Sequence, residues 1–337
     1  MSKLYVPQGY DPILNPTETQ RAIKRIKDFF QRELAHTLNL GRVSAPLFVF
    51  PETGLNDNLS GVERRVDFTI KDLDERHVEV VQSLAKWKRM ALGRYHTEVG
   101  RGLYTDMNAI RRDEELDNIH SIYVDQWDWE KVITADQRND KYLEQTVRII
   151  YRCLIDLADY VDDLYPELGG VGLPDRIKFI DSQELEDWYP DCTSKERERR
   201  AAEEYGAVFI KRIGGKLKSG EPHDMRAPDY DDWELNGDII LWNDVLQDQF
   251  EISSMGIRVD AEAMDRQLKL SGHEERRGLR FHQSILNDQL PLTIGGGIGQ
   301  SRLCMFFLKK AHIGEVQVAV WPEDMNEECK ANKIFLL

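Results

Sequence analysis

From Ile177 onward the chain spells strand after strand, and this crowding limits the folds open to it more than any other feature. Ile177–Ile180, Ala207–Ile213, Asp238–Trp242, Phe250–Val259 and Val316–Trp321 are rich in β-branched and aromatic residues, side chains that suit a pleated, half-buried surface. Parallel neighbours would need long, usually helical crossovers between successive strands. The helical patterns do not alternate with strands in that way, so a largely antiparallel sheet and an α+β fold class are expected. No internal repeat, low-complexity tract or linker divides the sequence, and residues 1–337 are expected to form one domain.

Helices are written mainly in the first half. Asn15 is placed to cap, Pro16 suits the first helical position and Glu18 completes a capping box. Ile23, Ile26, Phe30, Leu34 and Leu38 recur at helical spacing, with Gly41 as the expected stop. Val43–Phe50 then reads as a strand whose Pro46 cannot donate to a ladder, which suggests a sheet edge or a subunit boundary. His77–Val81 reads as a strand, and Ser83 as the cap of a helix over Leu84–Met90. A second long helix covers roughly 137–163, with Leu143, Val147, Ile150, Leu154, Leu157 and Val161 on one stripe. A glycine run, Gly295-Gly296-Gly297-Ile298-Gly299, precedes a short helix from Ser301 to Lys309.

Hydrophobic residues make up 41% of the chain and charged residues 31%, enough for a packed core beneath a solvated surface. No apolar run approaches the roughly 18–20 residues needed to span a bilayer, and Met1–Pro7 lacks the apolar stretch of a signal peptide. Cys153, Cys192, Cys304 and Cys329 are widely spaced and form no CxxC pair. That argues against a zinc ribbon or a disulfide framework, and for reduced thiols in a cytoplasmic protein. The formal net charge of −15 gives no general pull on phosphate backbones. Neither nucleic acid nor a membrane is an expected partner.

Three constellations carry chemistry. The glycine run fits neither common phosphate loop: Gln300 stands where a dinucleotide fingerprint needs glycine, and Leu217 follows Gly215-Lys216 where a Walker loop needs Ser or Thr. What it offers is Gly297-x-Gly299-x-x-Arg302, a backbone able to pass close to a flat ligand with an arginine one helical turn further on. The second is Arg111-Arg112-Asp113-Glu114 followed by His120–Glu130, read as two short strands around a charged loop. Alternation there puts Val124, Gln126, Asp128 and Glu130 on one face, a poor core but a good floor for a polar, cationic ligand. The third is Glu251–Arg258 behind Leu235–Asp238, where acidic residues beside small ones suit a hard cation such as Mg²⁺. Taken singly, each is equally a tight turn, a solvated edge strand or ordinary alternation.

Together they come in the order of the signature motifs of the class II aminoacyl-tRNA synthetases. Gly41-x-x-x-x-Pro46 resembles motif 1, the dimer-interface strand; Arg111–Glu114 and the strand after it resemble motif 2, in the style of the aspartyl and asparaginyl branch; Gly295–Arg302 resembles motif 3. Gln82–Lys88, Tyr123–Glu130, Ala227–Trp233 and Ser253–Arg258 closely resemble the ammonia-dependent asparagine synthetases, the aspartate–ammonia ligases, and the likeness runs from about residue 17 to Trp321.

That resemblance implies a class II synthetase catalytic core (about 17–322), working as a homodimer. It implies an enzyme that uses ATP and Mg²⁺ to activate the side-chain carboxylate of L-aspartate, releases pyrophosphate, and lets ammonia displace AMP. Arg111 takes the motif 2 role at the α-phosphate, although a bare Arg-x-Glu spacing would select Arg112. Arg302 is similar to the motif 3 arginine on adenine or phosphate, and Gly297 and Gly299 shape the adenine slot. Ser121, Asp238, Ile252 and Ser253 complete the ATP side, with Asp238 and Glu251 as metal ligands. Asp57, Ser83, Lys88, Gln126, Asp128, Ser254 and Arg258 resemble the aspartate pocket. Gln126 and Asp128 suit its ammonium group, and Lys88 and Arg258 suit carboxylates. Asp57 and Asp231 are assigned to ammonium.

The loop between Trp233 and Leu235 is shorter than in longer family members, which bears on the lid over the ATP site. His96, His120, His273 and His312 are read as structural or surface residues. Only short stretches flank the first core helix and Trp321, so the anticodon-binding domain of a tRNA synthetase is not expected, and intact Arg111, Glu251 and Arg302 argue against a non-catalytic sensor. Free ammonia rather than glutamine is expected as nitrogen donor, since residue 2 is Ser2 and no cysteine has a glycine neighbour as a glutaminase nucleophile would.

Overall fold

A computed structural model describes residues 4–57, 59 and 63–337; the readings at Met1–Lys3, Ser2 included, lie outside them. In chain order the strands are β1 Leu40–Arg42, β2 Phe48–Val49, β3 Asp67–Ile70, β4 Arg76–Val80, β5 Gly102–Ile110, β6 Tyr123–Val132, β7 Lys178–Asp181, β8 Ala207–Lys211, β9 Asp231–Asn243, β10 Asp248–Arg258 and β11 Thr293–Gly299. The helices are α1 Pro16–Leu38, α2 Ala85–Arg94, α3 Asp140–Leu164, α4 Ser182–Trp188, α5 Ser194–Tyr205, α6 Ala261–Ser271, α7 Arg280–Leu286, α8 Gln300–Phe307 and α9 Glu323–Ala331. Eight strands make one sheet in the order β1-β5-β6-β11-β10-β9-β8-β7. Only the two edge pairs, β1 with β5 and β7 with β8, are parallel. The expected antiparallel α+β architecture is present, and β2, β4 and β3 form a separate small sheet.

One face of the large sheet is covered by α1, α3 and α8. Ile26, Phe30 and Leu34 of α1 and Val147, Leu154 and Leu157 of α3 pack with Trp127 and Trp129 of β6 and Ile294 and Ile298 of β11. Burying Leu, Ile and Phe side chains of this size stabilises by about 1.5–3 kcal/mol each. Because side chains alternate across a strand, the same strands turn Gln126, Asp128, Gly295, Gly297 and Gly299 to the opposite face. The first helix begins as its sequence predicts: Asn15 Oδ1 accepts from Glu18 N at 3.0 Å while the Glu18 carboxylate accepts from Asn15 N at 3.0 Å.

Several boundaries differ from expectation. The stop of α1 is Asn39, not Gly41; its backbone is left-handed at φ 60, and its N–H reaches the Ala35 and His36 carbonyls. Asparagine tolerates that conformation. Val43–Phe50 is not one strand: β1 ends before it and only Phe48–Val49 pairs beyond Pro46. The second long helix starts at Asp140, where the Asn139 side chain accepts from Tyr142 N at 3.0 Å. The glycine run is a paired strand, and Val316–Trp321 is not a strand, its Val318 and Val320 lying exposed without strand partners among the described residues. The four cysteines are free, and no described helix is long and apolar enough to cross a membrane.

Candidate active site

On the sheet face away from α1 and α3, one cross-strand row joins Asp128 of β6, Gly297 of β11, Ser254 of β10 and Asp238 of β9. The glycines of β11 matter as absences. A Cβ at Gly297 would collide with the Gln126 amide oxygen, and one at Gly295 would collide with the Glu130 carboxylate and lie 2.7 Å from Arg258 Nη2. Without those atoms, the long polar side chains of β6 and β10 lie flat across β11. The strand that looked like a turn is therefore the floor of the site.

Above this floor is a cavity of about 370 Å³. Of the residues singled out from sequence, Asp57, Ser83, Arg111, Ser121, Gln126, Asp128, Asp231, Glu251, Ile252, Ser254, Arg258, Gly297, Gly299 and Arg302 all line it. Arg112 does not, which favours Arg111 of the two adjacent arginines, and the Arg111 Nε is buried with no hydrogen-bond partner among the described residues.

Three predicted residues stand elsewhere. Lys88 is fully buried beneath the floor, donating to Asp128, to the Trp129 carbonyl at 2.9 Å and to the Gly296 carbonyl at 3.1 Å. All three of its donors are taken, so it holds Asp128 rather than a substrate carboxylate. Ser253 pairs with Ile298 on the helix-covered face and does not reach the cavity. The row brings Asp238 beside Ser254, but the cavity wall does not include it.

At one end of the cavity sits a buried charge network. Arg258 forks onto Glu130, with Nε at 3.0 Å from both carboxylate oxygens and Nη2 at 2.7 Å, while its Nη1 donates to Asp231. Glu130 also accepts from Thr293 Oγ1 at 2.7 Å. Burial alone would raise the Glu130 carboxyl, but Arg258 and Lys88 hold it below the usual range. Asp128 Oδ2 accepts from Leu84 N at 3.2 Å. Asp57 is 2% exposed; burial pushes its carboxyl up, against the pull of Lys86. At the other end, Arg302 Nη1 donates to the Glu251 carbonyl at 3.1 Å and lies 3.6 Å from its carboxylate.

The model of the aspartate–ammonia ligase family matches residues 17–333. An aspartate–ammonia ligase of Clostridium perfringens is 59% identical over 337 residues, 100% of both chains. One from Bacillus cytotoxicus is 59% identical over 97% of this chain and 99% of its own. The chain belongs to the aspartate–ammonia ligase family. Among solved structures, an asparaginyl-tRNA synthetase of Entamoeba histolytica superposes with a TM-score of 0.61 over 90% of this chain and 67% of its own, at 14% identity. One of Pyrococcus horikoshii, complexed with asparaginyl-adenylate, gives a TM-score of 0.58 at 15% identity, over 90% of this chain and 70% of its own. These distant likenesses establish the class II synthetase fold.

Among the cavity residues left without a role by sequence are Arg226 and Tyr230, both on the irregular segment between β8 and β9. Arg226 donates to Ser254 Oγ and lies 3.6 Å from the Asp231 carboxylate. It thereby links Ser254 to the Arg258–Asp231 end of the cavity. No periodicity marks such a segment; only its place in the Ala227–Trp233 string pointed there.

The acidic end fits a divalent cation. Asp238 Oδ1 is buried with no hydrogen-bond partner among the described residues, and burial, with Glu251 and Asp224 nearby, pushes this carboxyl up to about 8. For Glu251, burial is outweighed by Arg302 and Lys195, which hold its carboxyl low. Among the described residues no three His, Cys, Asp or Glu side chains converge as a closed metal cage. Two carboxylates completed by phosphate oxygens and water are the usual setting for Mg²⁺.

Proposed function

We propose that this ligase condenses L-aspartate with ammonia to give L-asparagine, using ATP and passing through a β-aspartyl-adenylate, with AMP and pyrophosphate as products. A carboxylate is anionic and resonance-stabilised, hence a poor electrophile. Adenylation converts its oxygen into part of a good leaving group. The attack of the β-carboxylate oxygen on the α-phosphorus breaks the bond to pyrophosphate and concentrates negative charge there. Arg111 and Arg302 are the cations assigned to that charge, as preorganised donors. The unpartnered Nε of Arg111 supports its assignment. Asp238 and Glu251 would hold Mg²⁺, which when bound supplies charge neutralisation at the phosphates.

In this reading Gln126 and Asp128 receive the α-ammonium group of aspartate, Arg258 its α-carboxylate, and Ser83 and Ser254 close the pocket. Ser121, Ile252, Gly297 and Gly299 line the nucleotide side. Ammonium gives one proton to Asp57 or Asp231; the freed lone pair adds to the β-carbonyl carbon; the nitrogen loses a second proton as the C–O bond to AMP breaks. The cysteines support ammonia as the donor, because Cys153, Cys304 and Cys329 are buried and none of the four lines the cavity. We further propose that the chain is a single domain acting as a homodimer. Leu47 is 51% exposed, Phe48 and Phe68 are each 41% exposed, and the two rings meet edge-on at 5.3 Å. This apolar face lies beside the motif 1 segment and suits a twofold mate.

One observation carries the reading: the side chains assigned to the amino acid and those assigned to phosphate line a single cavity over the sheet. Aspartate-dependent exchange of pyrophosphate into ATP, together with asparagine formation from ammonium but not from ammonia-free glutamine, is the expected result. Absence of exchange, or equal rates with both nitrogen donors, would overturn it.

A further inference from the structure

The turn Ala227–Asp231 is held by hydrogen bonds from several distant elements. On its buried side, Asp229 accepts from Lys86 Nζ at 2.9 Å, His282 Nε2 at 2.9 Å and Arg276 Nη1 at 3.3 Å. Those cations, led by Lys86, outweigh burial and keep its carboxyl far below the usual range. Gln267 Nε2 donates to the carbonyls of Pro228 at 3.0 Å and Asp231 at 2.9 Å, and Val259 N donates to the Tyr230 carbonyl at 2.9 Å. Pro228 restricts the backbone further.

On its open side this rigid turn sends Tyr230 and Asp231 into the cavity that Asp57 also lines. The Arg258 guanidinium carbon lies 5.8 Å from the centre of the Tyr230 ring. Burial, with Asp57 and Asp231 close by, keeps the phenol neutral far above its ordinary range. Asp231 already accepts from Arg258 and faces Arg226. Asp57 lies near Lys86, whose charge Asp229 already shares. Asp57 Oδ1 accepts from Leu59 N at 2.9 Å; its Oδ2 and the Tyr230 hydroxyl are oxygen groups of cavity-lining residues with capacity for a small cation, and neither is assigned to the α-groups of aspartate.

We propose that Tyr230 and Asp57 form the seat in which ammonium is held beside the β-acyl group, the phenol oxygen accepting one N–H and orienting the nitrogen. This deepens the aspartate–ammonia ligase reading and rests on it. No bond is made or broken at the tyrosine. One proton passes from nitrogen to Asp57, the lone pair goes to the β-carbonyl carbon, AMP departs with the C–O electron pair, and the second proton passes from nitrogen to the departing AMP phosphate as the amide forms.

The test uses full-length Tyr230→Phe and Tyr230→Met, with ammonium chloride as the probe. The KM for ammonium should rise roughly ten- to hundredfold, as expected for losing a hydrogen bond to a charged group. Aspartate-dependent ATP–pyrophosphate exchange needs no ammonia, so it should stay within about twofold of the parent, which also certifies the fold. An unchanged ammonium KM alongside intact exchange would overturn the seat while leaving the ligase reading standing. Loss of exchange in Tyr230→Phe would also overturn the seat, since the hydroxyl would then serve adenylation. Absence of exchange in the parent protein would overturn the underlying reading.

Discussion

Replacing Lys88 with methionine keeps most of the side-chain volume and removes one charge. In the folded protein Lys88 donates to Asp128, the Trp129 carbonyl at 2.9 Å and the Gly296 carbonyl at 3.1 Å, and sits 3.8 Å from Glu130. The change leaves the Asp128 carboxylate, 3% exposed, with the Leu84 N–H at 3.2 Å as its one remaining donor among the described residues. Removing one partner of a buried pair costs about 3–5 kcal/mol, a large share of the 5–15 kcal/mol that typically separates folded from unfolded protein. The apparent unfolding temperature should fall by roughly 4–7 °C, and the KM for aspartate should rise as Asp128 loses its anchor. Asp128→Asn should be gentler on stability, because burial already lowers the Lys88 pKa and the lysine can shed its proton once its carboxylate partner is gone. Combining the two should recover much of the stability but not aspartate binding, a coupling that thermal melts of the double-mutant cycle would read. Normal stability of Lys88→Met with a raised aspartate KM would refute this reasoning and make Lys88 a direct substrate contact.

Arg111→Ala and Arg302→Ala should each lose activity mainly through kcat, by about 2–4 kcal/mol of transition-state stabilisation; near-normal turnover in steady-state assays would remove the assigned role. Sedimentation at micromolar concentration should give a dimer, and Phe48→Asp should shift it toward monomer. His312 is buried edge-on against Trp321, and its Nδ1 accepts from Gly314 N at 3.0 Å. Burial pushes its pKa from 6.5 down to about 4, so between those values the unfolded chain binds the proton and the folded chain does not. Stability should therefore fall by about 3 kcal/mol as pH drops through that window. Denaturant titrations of the parent and His312→Gln, compared across the window, should show a shallower loss in the variant.

Much of the fold was legible because hydrophobic period and caps are local signals. Asn15 and Glu18 announced α1, the apolar stripe from Leu143 to Val161 announced α3, and alternation in β6 sorted Trp127 and Trp129 from Gln126 and Asp128. What failed depended on partners distant in sequence. Gly295–Gly299 has no strand propensity of its own; β6 and β10 make it a strand, and their side chains fill the space its Cβ atoms would take. Val316–Trp321 has the propensity without strand neighbours to pair with. In the site, residue type indicated a polar, acidic floor for a cationic ligand, but not that Lys88 lies beneath it with every donor engaged. Arg226 and Tyr230 sit in an irregular segment held by Asp229, Gln267 and Val259, and only the folded chain brings those anchors together.

In the proposed reaction the β-carboxylate of aspartate is joined to AMP before nitrogen attacks. Aspartate labelled with ¹⁸O in both β-carboxylate oxygens, incubated with ATP, Mg²⁺ and ammonium, tests it directly by mass spectrometry of the nucleotide product. One ¹⁸O in AMP for each asparagine formed, with pyrophosphate released, is the predicted result. Asparagine formed with unlabelled AMP, or with ADP and labelled phosphate, would contradict the account.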